Sequence, residues 1–402
     1  MKLAQLPPLS LYVHIPWCLR KCPYCDFNSH EQQGELPEAA YVDALVADLE
    51  STLPQVWGRK LHSIFVGGGT PSLFCAGAIE TLLTAIRTRI PLEPDAEVTM
   101  EANPGTFEAG KFAGFRDAGV TRLSLGVQSF DDARLQAVGR VHDAAEARRA
   151  LEHALATFPT VNVDLMYALP GQSLEGALSD VRVAIASGAP HVSAYHLTLE
   201  PDTHFARFPP PLPDDELSAD MQEAIEATLA GAGFDHYETS AFGRPGHRGR
   251  HNLNYWRFGD YLGIGAGAHA KVSFRERIVR EVRERKPVTY LRAALAGEAR
   301  MESRDVAEAE LPFEFMLNAL RLVDGFAPGL FELRTGLSLA VIEPQLAEAE
   351  ALGLVTRDLE AIRPTLRGQR FLNALLEKFL VARPRPARVI NIYSRDSGRR
   401  PA

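Results

Sequence analysis

Short apolar runs typical of β-strands alternate along this chain with longer segments whose apolar positions recur at helical spacing. The runs predict strands at residues 11–15, 63–69, 97–103, 122–129, 161–170 and 191–200. Between them, the segments 39–53, 78–90 and 145–158 have the period of amphipathic helices. Strands and helices that alternate with short connections predict an α/β fold with a parallel sheet covered by helices. Six such units indicate a partial or full (β/α) barrel.

The second half of the chain departs from this alternation. A proline-rich break at 205–216 precedes a helix and a mixed segment. We therefore expect a core at 1–275 and a charged, polar connector at 276–310. Residues 311–380 predict helices followed by a small hairpin, which is typical of a winged-helix-like domain. The last segment, 381–402, is rich in Arg and predicts a disordered basic tail.

Composition and charge exclude several classes of protein. The formal net charge of -8 gives no reason to expect a nucleic-acid partner. The opening MKLAQLPPLS lacks a basic region followed by an apolar run, so no signal peptide is expected. No run of about 18 apolar residues predicts a membrane span. We expect a cytoplasmic protein.

Three of the four cysteines lie within eight residues, directly after the first predicted strand. Cys18, Cys22 and Cys25 have the spacing C-x3-C-x2-C, which favours a metal in a reducing compartment over disulfides. Structural zinc would need a fourth donor, such as a nearby histidine or Cys75. A [4Fe–4S] cluster held by three cysteines would instead leave one iron open to a ligand. Outside this role, we expect Cys75 to be a small buried hydrophobic residue.

Polar residues also follow the next strands, at the edge where a barrel gathers its chemistry. The glycines of VGGGTP (66–71) let a ligand approach the backbone closely, although a simple turn is the alternative. Glu101 could bind hydroxyl groups or an amine, or act only as an acid at a helix N-terminus. Asp164 interrupts an apolar strand, and a buried carboxylate needs a partner. Gln128 and Arg140 are further candidates.

The cysteine spacing, with Tyr24 before the third cysteine, is similar to the signature of the radical S-adenosylmethionine (SAM) proteins. The resemblance implies a partial (β/α)6 TIM-type barrel. It also implies that Cys18, Cys22 and Cys25 bind a [4Fe–4S] cluster whose open iron is completed by SAM. In that superfamily the cluster delivers an electron that cleaves SAM. The resemblance assigns the cofactor-binding role to Tyr12, Tyr24, Gly67, Gly68, Gly69, Thr70, Glu101, Gln128, Arg140 and Asp164.

The motifs YVHIPWC, CPYCDF, GGGTP, SLGVQSF, LMYALPGQ and EFMLNALRL together resemble the oxygen-independent coproporphyrinogen oxidase family across nearly the whole chain. One branch of that family is a dehydrogenase that decarboxylates coproporphyrinogen III, and the other is a heme chaperone. Three features favour the chaperone branch. No cysteine directly follows Cys25, only a short segment precedes the first strand, and RHNLNYW (250–256) matches a motif associated with heme. The dehydrogenase stays the alternative, and a catalytic role is left open.

The same segment has a physical interpretation, since an imidazole is a common axial ligand to heme iron. His251, with Tyr255 at i+4, would sit beside flat aromatic surface if the segment is helical. A capping or core histidine is the alternative, and the resemblance favours the heme role. It also implies heme acceptor proteins as partners, some of them respiratory enzymes at the inner membrane. The tail at 381–402 could help docking there, or be only a solvated end.

Overall fold

Strands and helices alternate along the first half of the chain, as the polarity pattern predicts. The computed structural model describes residues 1–106 and 109–380. Numbered in chain order, the first elements are β1 (Leu9–Ile15), β2 (Trp17–Cys18), β3 (His30–Glu31), α1 (Glu38–Thr52), β4 (Leu61–Gly68), α2 (Ala76–Arg89), β5 (Leu92–Ala102), α3 (Ala109–Asp117), β6 (Arg122–Gln128), α4 (Asp132–Ala137), α5 (Ala144–Thr157), β7 (Thr160–Tyr167), α6 (Leu174–Ala186) and β8 (His191–His196).

The elements of the second half are shorter. They are α7 (His204–Arg207), α8 (Asp215–Gly231), β9 (Asp235–Glu238), β10 (Ala241–Gly243), α9 (Arg250–Trp256), β11 (Asp260–Ile264), β12 (His269–Ser273), β13 (Ile278–Arg283), α10 (Pro287–Leu295), β14 (Arg300–Asp305), α11 (Leu311–Ala319), α12 (Pro328–Thr335), α13 (Glu343–Ala351), β15 (Val355–Arg357), β16 (Ile362–Pro364), α14 (Leu366–Arg370) and α15 (Leu372–Glu377).

One large sheet organises the described residues, in the order β14-β13-β12-β11-β1-β4-β5-β6-β7-β8-β10-β9. The six predicted strands form its centre and pair in parallel, and β11 pairs in parallel with β1. The strands at both margins pair antiparallel. Because β14 and β9 are the two edges of this order, the barrel is open. The expected partial barrel with a helical C-terminal region is confirmed.

The polarity of β1 shows why the barrel carries a polar interior. Leu9, Leu11, Val13 and Ile15 are buried on one face, in the core shared with the helices. Each such side chain contributes about 1.5–3 kcal/mol by leaving water. Alternate positions of a strand point to the opposite face, so Ser10, Tyr12 and His14 face inward. In register they lie beside Ser63, Phe65 and Gly67 of β4. The barrel interior is therefore built largely from polar and aromatic groups.

Residues 276–310, for which we predicted a connector, extend the sheet with β13 and β14 and add α10. Some of their charged side chains form buried ion pairs. Arg283 is fully buried and donates to Asp48 of α1 at 2.8 Å and to Glu281 at 2.9 Å. Because these ion pairs replace water, a sequence that looks solvated forms part of the sheet.

The C-terminal helices have their own core. Phe315 of α11 packs edge to face against Phe258, Phe326 and Phe331, with ring centroids 5.0–5.7 Å apart. The hairpin β15–β16 completes this unit. The predicted tail at 381–402 lies outside the described residues. Among those that are described, no helix is both long and apolar enough to cross a membrane.

Cys75 is exposed, so the expectation that it is buried is wrong. It is the N-cap of α2, where its Sγ accepts a hydrogen bond from the backbone N–H of Ala78 at 3.4 Å. The first N–H groups of a helix lack partners within the helix and take them from the preceding residue. Capping explains this position better than apolar burial does.

Candidate functional site

The carboxyl ends of the parallel strands enclose a cavity of about 480 Å³, a size typical of cofactor sites. Most of the predicted site residues line it, namely Cys18, Cys22, Tyr24, Cys25, Gly68, Gly69, Thr70, Glu101, Gln128, Arg140 and Asp164. Three predicted residues do not line it, and these are Tyr12, Gly67 and His251. The shared edge of a parallel sheet thus brings together residues that are far apart in the sequence.

The thiols belong to one loop, residues 16–31, which we call the Cys loop. The loop is held against the glycines after β4, because the backbone N–H of Gly69 donates to Ile15 and that of Thr70 to the carbonyl of Trp17, both at 2.7 Å. A Cβ added at Gly69 would lie 2.5 Å from the Trp17 carbonyl oxygen. Glycine is required here because two backbone segments approach closely. The GGGTP motif therefore positions the Cys loop.

The three thiols are half-buried and form no disulfide. Burial raises the pKa of the Cys18 and Cys25 thiols, so a positive partner is needed to hold them as thiolates. The Arg140 guanidinium supplies one positive charge, with Nη1 3.7 Å from the Cys22 Sγ. A metal cluster would supply the rest.

The chemistry of the three thiols is that of iron–sulfur cluster ligands. In an iron–sulfur cluster each thiolate binds a different iron atom, so the sulfur atoms need no common centre. The donor set of the Cys loop fits such a cluster.

Two carboxyl groups face the same cavity. The Glu101 Oε2 accepts the backbone N–H of Gly68 at 3.0 Å. Burial, with a smaller effect from the charge of Asp164, raises the pKa of Glu101 to about 8. Burial also raises the pKa of Asp164, although Ser124 Oγ and Asn162 Nδ2 donate to it at 2.8 and 2.7 Å. The sequence predicted that Asp164 needs a partner, and these two donors are the partners that the structure shows. An ammonium or hydroxyl group in the cavity would satisfy both acids.

The opposite side of the cavity suits an anion. Arg140 Nη2 donates to the side-chain oxygen of Asn103 and, at 2.7 Å, to the carbonyl of Gly126. Asn103 Nδ2 in turn donates to Thr70 Oγ1 at 2.9 Å. Sequence reasoning missed Asn103, and its position two residues after Glu101 was the available signal. This chain of contacts fixes a guanidinium where a carboxylate could bind it.

Gln128 ends β6 with φ 69°. This left-handed conformation is uncommon for a residue other than glycine and is found at functional sites. The side chain lines the cavity between Gly126 and Arg140. The pairing of β6 with β7 also shifts register between Gly126 and Gln128.

Tyr12 and Gly67 lie beneath the cavity and support it. The Tyr12 hydroxyl is 2.9 Å from His14 Nδ1, and His14 Nε2 is 2.9 Å from the carbonyl of Asn28 in the Cys loop. A Cβ on Gly67 would lie 2.7 Å from the Phe65 ring and 3.0 Å from the Glu101 carboxylate. Both residues position groups that line the cavity.

His251 lies in α9, which is helical as the heme interpretation required. It is 2% exposed, with Nδ1 2.9 Å from Ser63 Oγ and Nε2 3.0 Å from the Tyr255 hydroxyl. Its ring packs 5.0 Å from Phe65, and burial lowers its pKa to about 3. Because both ring nitrogens have protein partners, this packing matches the core alternative. Its role as a heme ligand stays a prediction.

Comparison with known proteins places these features in a family. The model of the radical SAM superfamily matches residues 12–183, and the model of the HemN C-terminal domain matches 306–371. The crystallised coproporphyrinogen III oxidase (HemN) of Escherichia coli, a radical SAM enzyme, has the same fold. Its TM-score is 0.79 at 24% identity, over 93% of this chain and 90% of that one.

Relatives match the chain over almost its whole length. The protein named heme chaperone HemW from Escherichia coli (strain K12) is 49% identical over 380 residues, which cover 94% of this chain and 100% of that protein. The protein of the same name from Haemophilus influenzae is 47% identical over 382 residues, or 94% and 99% of the two chains. The chain belongs to the HemW family of the radical SAM superfamily.

Proposed function

We propose that this protein is a heme chaperone that binds heme and transfers it to acceptor proteins, respiratory enzymes among them. One observation carries the proposal. Relatives named heme chaperones match 94% of the chain, and most of the predicted cofactor residues within that span line one cavity. We propose heme binding and heme transfer for this chain because those relatives are named heme chaperones.

We further propose that Cys18, Cys22 and Cys25 bind a [4Fe–4S] cluster and that SAM occupies the cavity as an exchangeable ligand. A bound cluster would be able to supply an electron to the sulfonium of SAM. Arg140, oriented by Asn103, suits the carboxylate of SAM. Glu101 suits its ammonium or ribose hydroxyl groups.

The protonation of Glu101 supports exchange. With a pKa of about 8, its carboxyl group is mostly protonated in the empty cavity at neutral pH. An arriving ammonium group favours the ionised form, so binding releases a proton to solvent. The affinity for SAM should therefore rise with pH toward this value.

The proposed place of action is the cytoplasm, with peripheral association at the inner membrane where respiratory acceptors lie. The basic segment 381–402 is the part of the chain suited to anionic lipid. Sedimentation with anionic vesicles, with and without this segment, tests the association. Equal sedimentation of the two forms would remove the tail from that role.

The chaperone proposal is tested on protein purified without oxygen and reconstituted with iron and sulfide. We expect about one heme per chain by absorbance titration, transfer of that heme to a heme-free respiratory enzyme, and no turnover of coproporphyrinogen. Cys22→Ser is the control for cluster-dependent steps. Production of protoporphyrinogen from coproporphyrinogen, SAM and a reductant would instead establish the dehydrogenase alternative. A colourless protein without labile sulfide would refute the cluster.

A further inference from the structure

The hydrogen bonds of Asp164 continue from the cavity into the barrel interior. Asn162 lies two residues before Asp164 on β7, so both side chains point to the same face of the strand. The amide Nδ2 of Asn162 donates to one carboxylate oxygen of Asp164 at 2.7 Å and to Ser124 Oγ at 2.8 Å. Ser124 Oγ donates to the second carboxylate oxygen at 2.8 Å. One buried amide therefore organises the contacts of both oxygens.

His191 of β8 holds the opposite end of that amide. Its imidazole is 1% exposed, and Nδ1 lies 2.6 Å from the Asn162 Oδ1. Its Nε2 lies 2.8 Å from the hydroxyl oxygen of Tyr237, which accepts the backbone N–H of Gly249 at 3.1 Å. Asn162 lines the cavity and His191 does not, so the imidazole can affect a ligand only through its neighbours.

The direction of these hydrogen bonds follows from the one donor that cannot be reversed, the backbone N–H of Gly249. Because that N–H donates to its oxygen, the Tyr237 hydroxyl has its own proton available for His191 Nε2. Burial lowers the pKa of His191 well below its usual value, so the neutral imidazole carries its single proton on Nδ1 and donates it to Asn162. A reversed amide would place its oxygen 2.7 Å from a carboxylate oxygen of Asp164.

Ser193 also contacts the amide, since its Oγ donates to the Asn162 Oδ1 at 3.1 Å. A hydroxyl group can donate or accept and therefore fits either orientation of the amide. The Nδ1 proton of His191 fits only the orientation that turns the amide N–H groups toward Asp164. Of these two neighbours, His191 is the one that selects the orientation.

The second acid of the cavity has no comparable support. Glu101 accepts the backbone N–H of Gly68, and no side chain among the described residues donates to it. Asp164 accepts two side-chain donors, which hold its carboxylate in one orientation and favour its ionised form. Asp164 is therefore the acid whose oxygens are already arranged for the ammonium or hydroxyl group of a ligand.

Resting on the proposed function, we propose that His191 is a positioning residue of the SAM site and acts on Asp164 through the amide of Asn162. His191 fixes the amide, the amide fixes the carboxylate, and the carboxylate receives an ammonium or hydroxyl group of SAM. The imidazole itself contacts no ligand. Its loss should therefore lower the affinity for SAM without removing any group that SAM touches.

The test is a calorimetric titration of SAM into the full chain, purified without oxygen and reconstituted with iron and sulfide. His191→Gln keeps a polar group near Tyr237 but loses the Nδ1 donor, so it should weaken SAM binding about tenfold. His191→Asn should bind SAM nearly as the wild type does, since its Nδ2 can donate from the position of the lost Nδ1. His236→Leu is the matched control and should leave binding unchanged, because His236 packs on Phe242 and does not line the cavity.

Two further measurements distinguish positioning from packing. The double variant His191→Gln/Asn162→Ala should bind SAM no more weakly than Asn162→Ala alone, because both changes interrupt one chain of contacts. Nuclear magnetic resonance of isotope-labelled histidine in the cluster-free wild type should show the proton of His191 on Nδ1. The His191→Asn variant, which lacks this signal, assigns it.

The outcomes separate this inference from the proposed function. A wild-type chain that binds no SAM would refute the proposed SAM site itself. Wild-type affinity in a folded His191→Gln variant, equal losses in His191→Gln and His191→Asn, or additive effects in the double variant would each overturn the inference alone. A proton on Nε2 in the wild type would overturn it as well, and this measurement decides the matter even if the variants do not fold.

Discussion

The carboxyl group of Glu101 should make the stability of the empty protein depend on pH. The group faces the cavity, and burial raises its pKa from 4.5 to about 8. The folded chain therefore keeps a proton that the unfolded chain loses once the pH exceeds 4.5. Stability must fall as the pH rises through this window, and the full cost is reached above about pH 8.

The size of this change in stability follows from the two pKa values, 4.5 and about 8. Each tenfold difference in proton affinity is worth about 1.4 kcal/mol, so the rise from 4.5 to about 8 sets an upper limit of about 5 kcal/mol. The side chain is only half-buried, and water in the cavity screens part of this cost. We expect about 2–3 kcal/mol to be realised.

Glu101→Gln removes the titration and keeps an oxygen that can accept the N–H of Gly68. We expect the free energy of unfolding of this variant to match that of the wild type at about pH 5. At about pH 8 it should be larger than that of the wild type by about 2–3 kcal/mol. Urea unfolding of cluster-free protein, followed by circular dichroism, measures the difference. Calorimetry should show weaker SAM binding by the same variant.

Glu80→Gln is the control, because Glu80 lies on α2 and its side chain is exposed. Its unfolding should follow the pH dependence of the wild type. If Glu101→Gln also followed the wild type across the window, the carboxyl group would be titrating normally, and the argument from burial would be refuted.

Other substitutions test the packing around the site. Gly69→Ala would place a Cβ 2.5 Å from a backbone carbonyl oxygen, so the amount of iron bound after reconstitution, measured by colorimetric assay, should fall severalfold. Gly77→Ala, whose added Cβ would have nothing within 4 Å, should leave the amount of bound iron unchanged. Lys271→Met should cost about 3 kcal/mol in urea unfolding, because it removes the ammonium group 3.0 Å from the buried Asp260 carboxylate. A loss below about 1 kcal/mol would show that the remaining partners of Asp260, Arg59 and Ser273, suffice. His251→Ala should also cost about 3 kcal/mol, since it empties buried space and removes the hydrogen-bond partner of the Tyr255 hydroxyl, while Ser63 keeps its contact with Ser10. A cost near zero would contradict the role of His251 in the core.

Sequence pattern sufficed for those features that depend on local periodicity. The six central strands and the helices between them follow from the alternation of apolar and polar residues, which is a property of neighbouring positions. Once the strands are parallel, their carboxyl ends must meet, so Glu101, Gln128 and the Cys loop were predicted to share one edge. The structure brings them to one cavity.

Pairing and burial, in contrast, depend on residues that are distant in sequence, and only the tertiary structure decides them. Strand register gives Asp164 its donors from Ser124 and Asn162. The packing of α9 against β4 encloses His251, whereas the end of β8 leaves His196 at the surface. The polarity pattern does not tell whether such a histidine is buried, because an imidazole can serve a core or a ligand site equally well. The difference between them is set by which long-range contacts occupy their nitrogens, and no local pattern records those contacts.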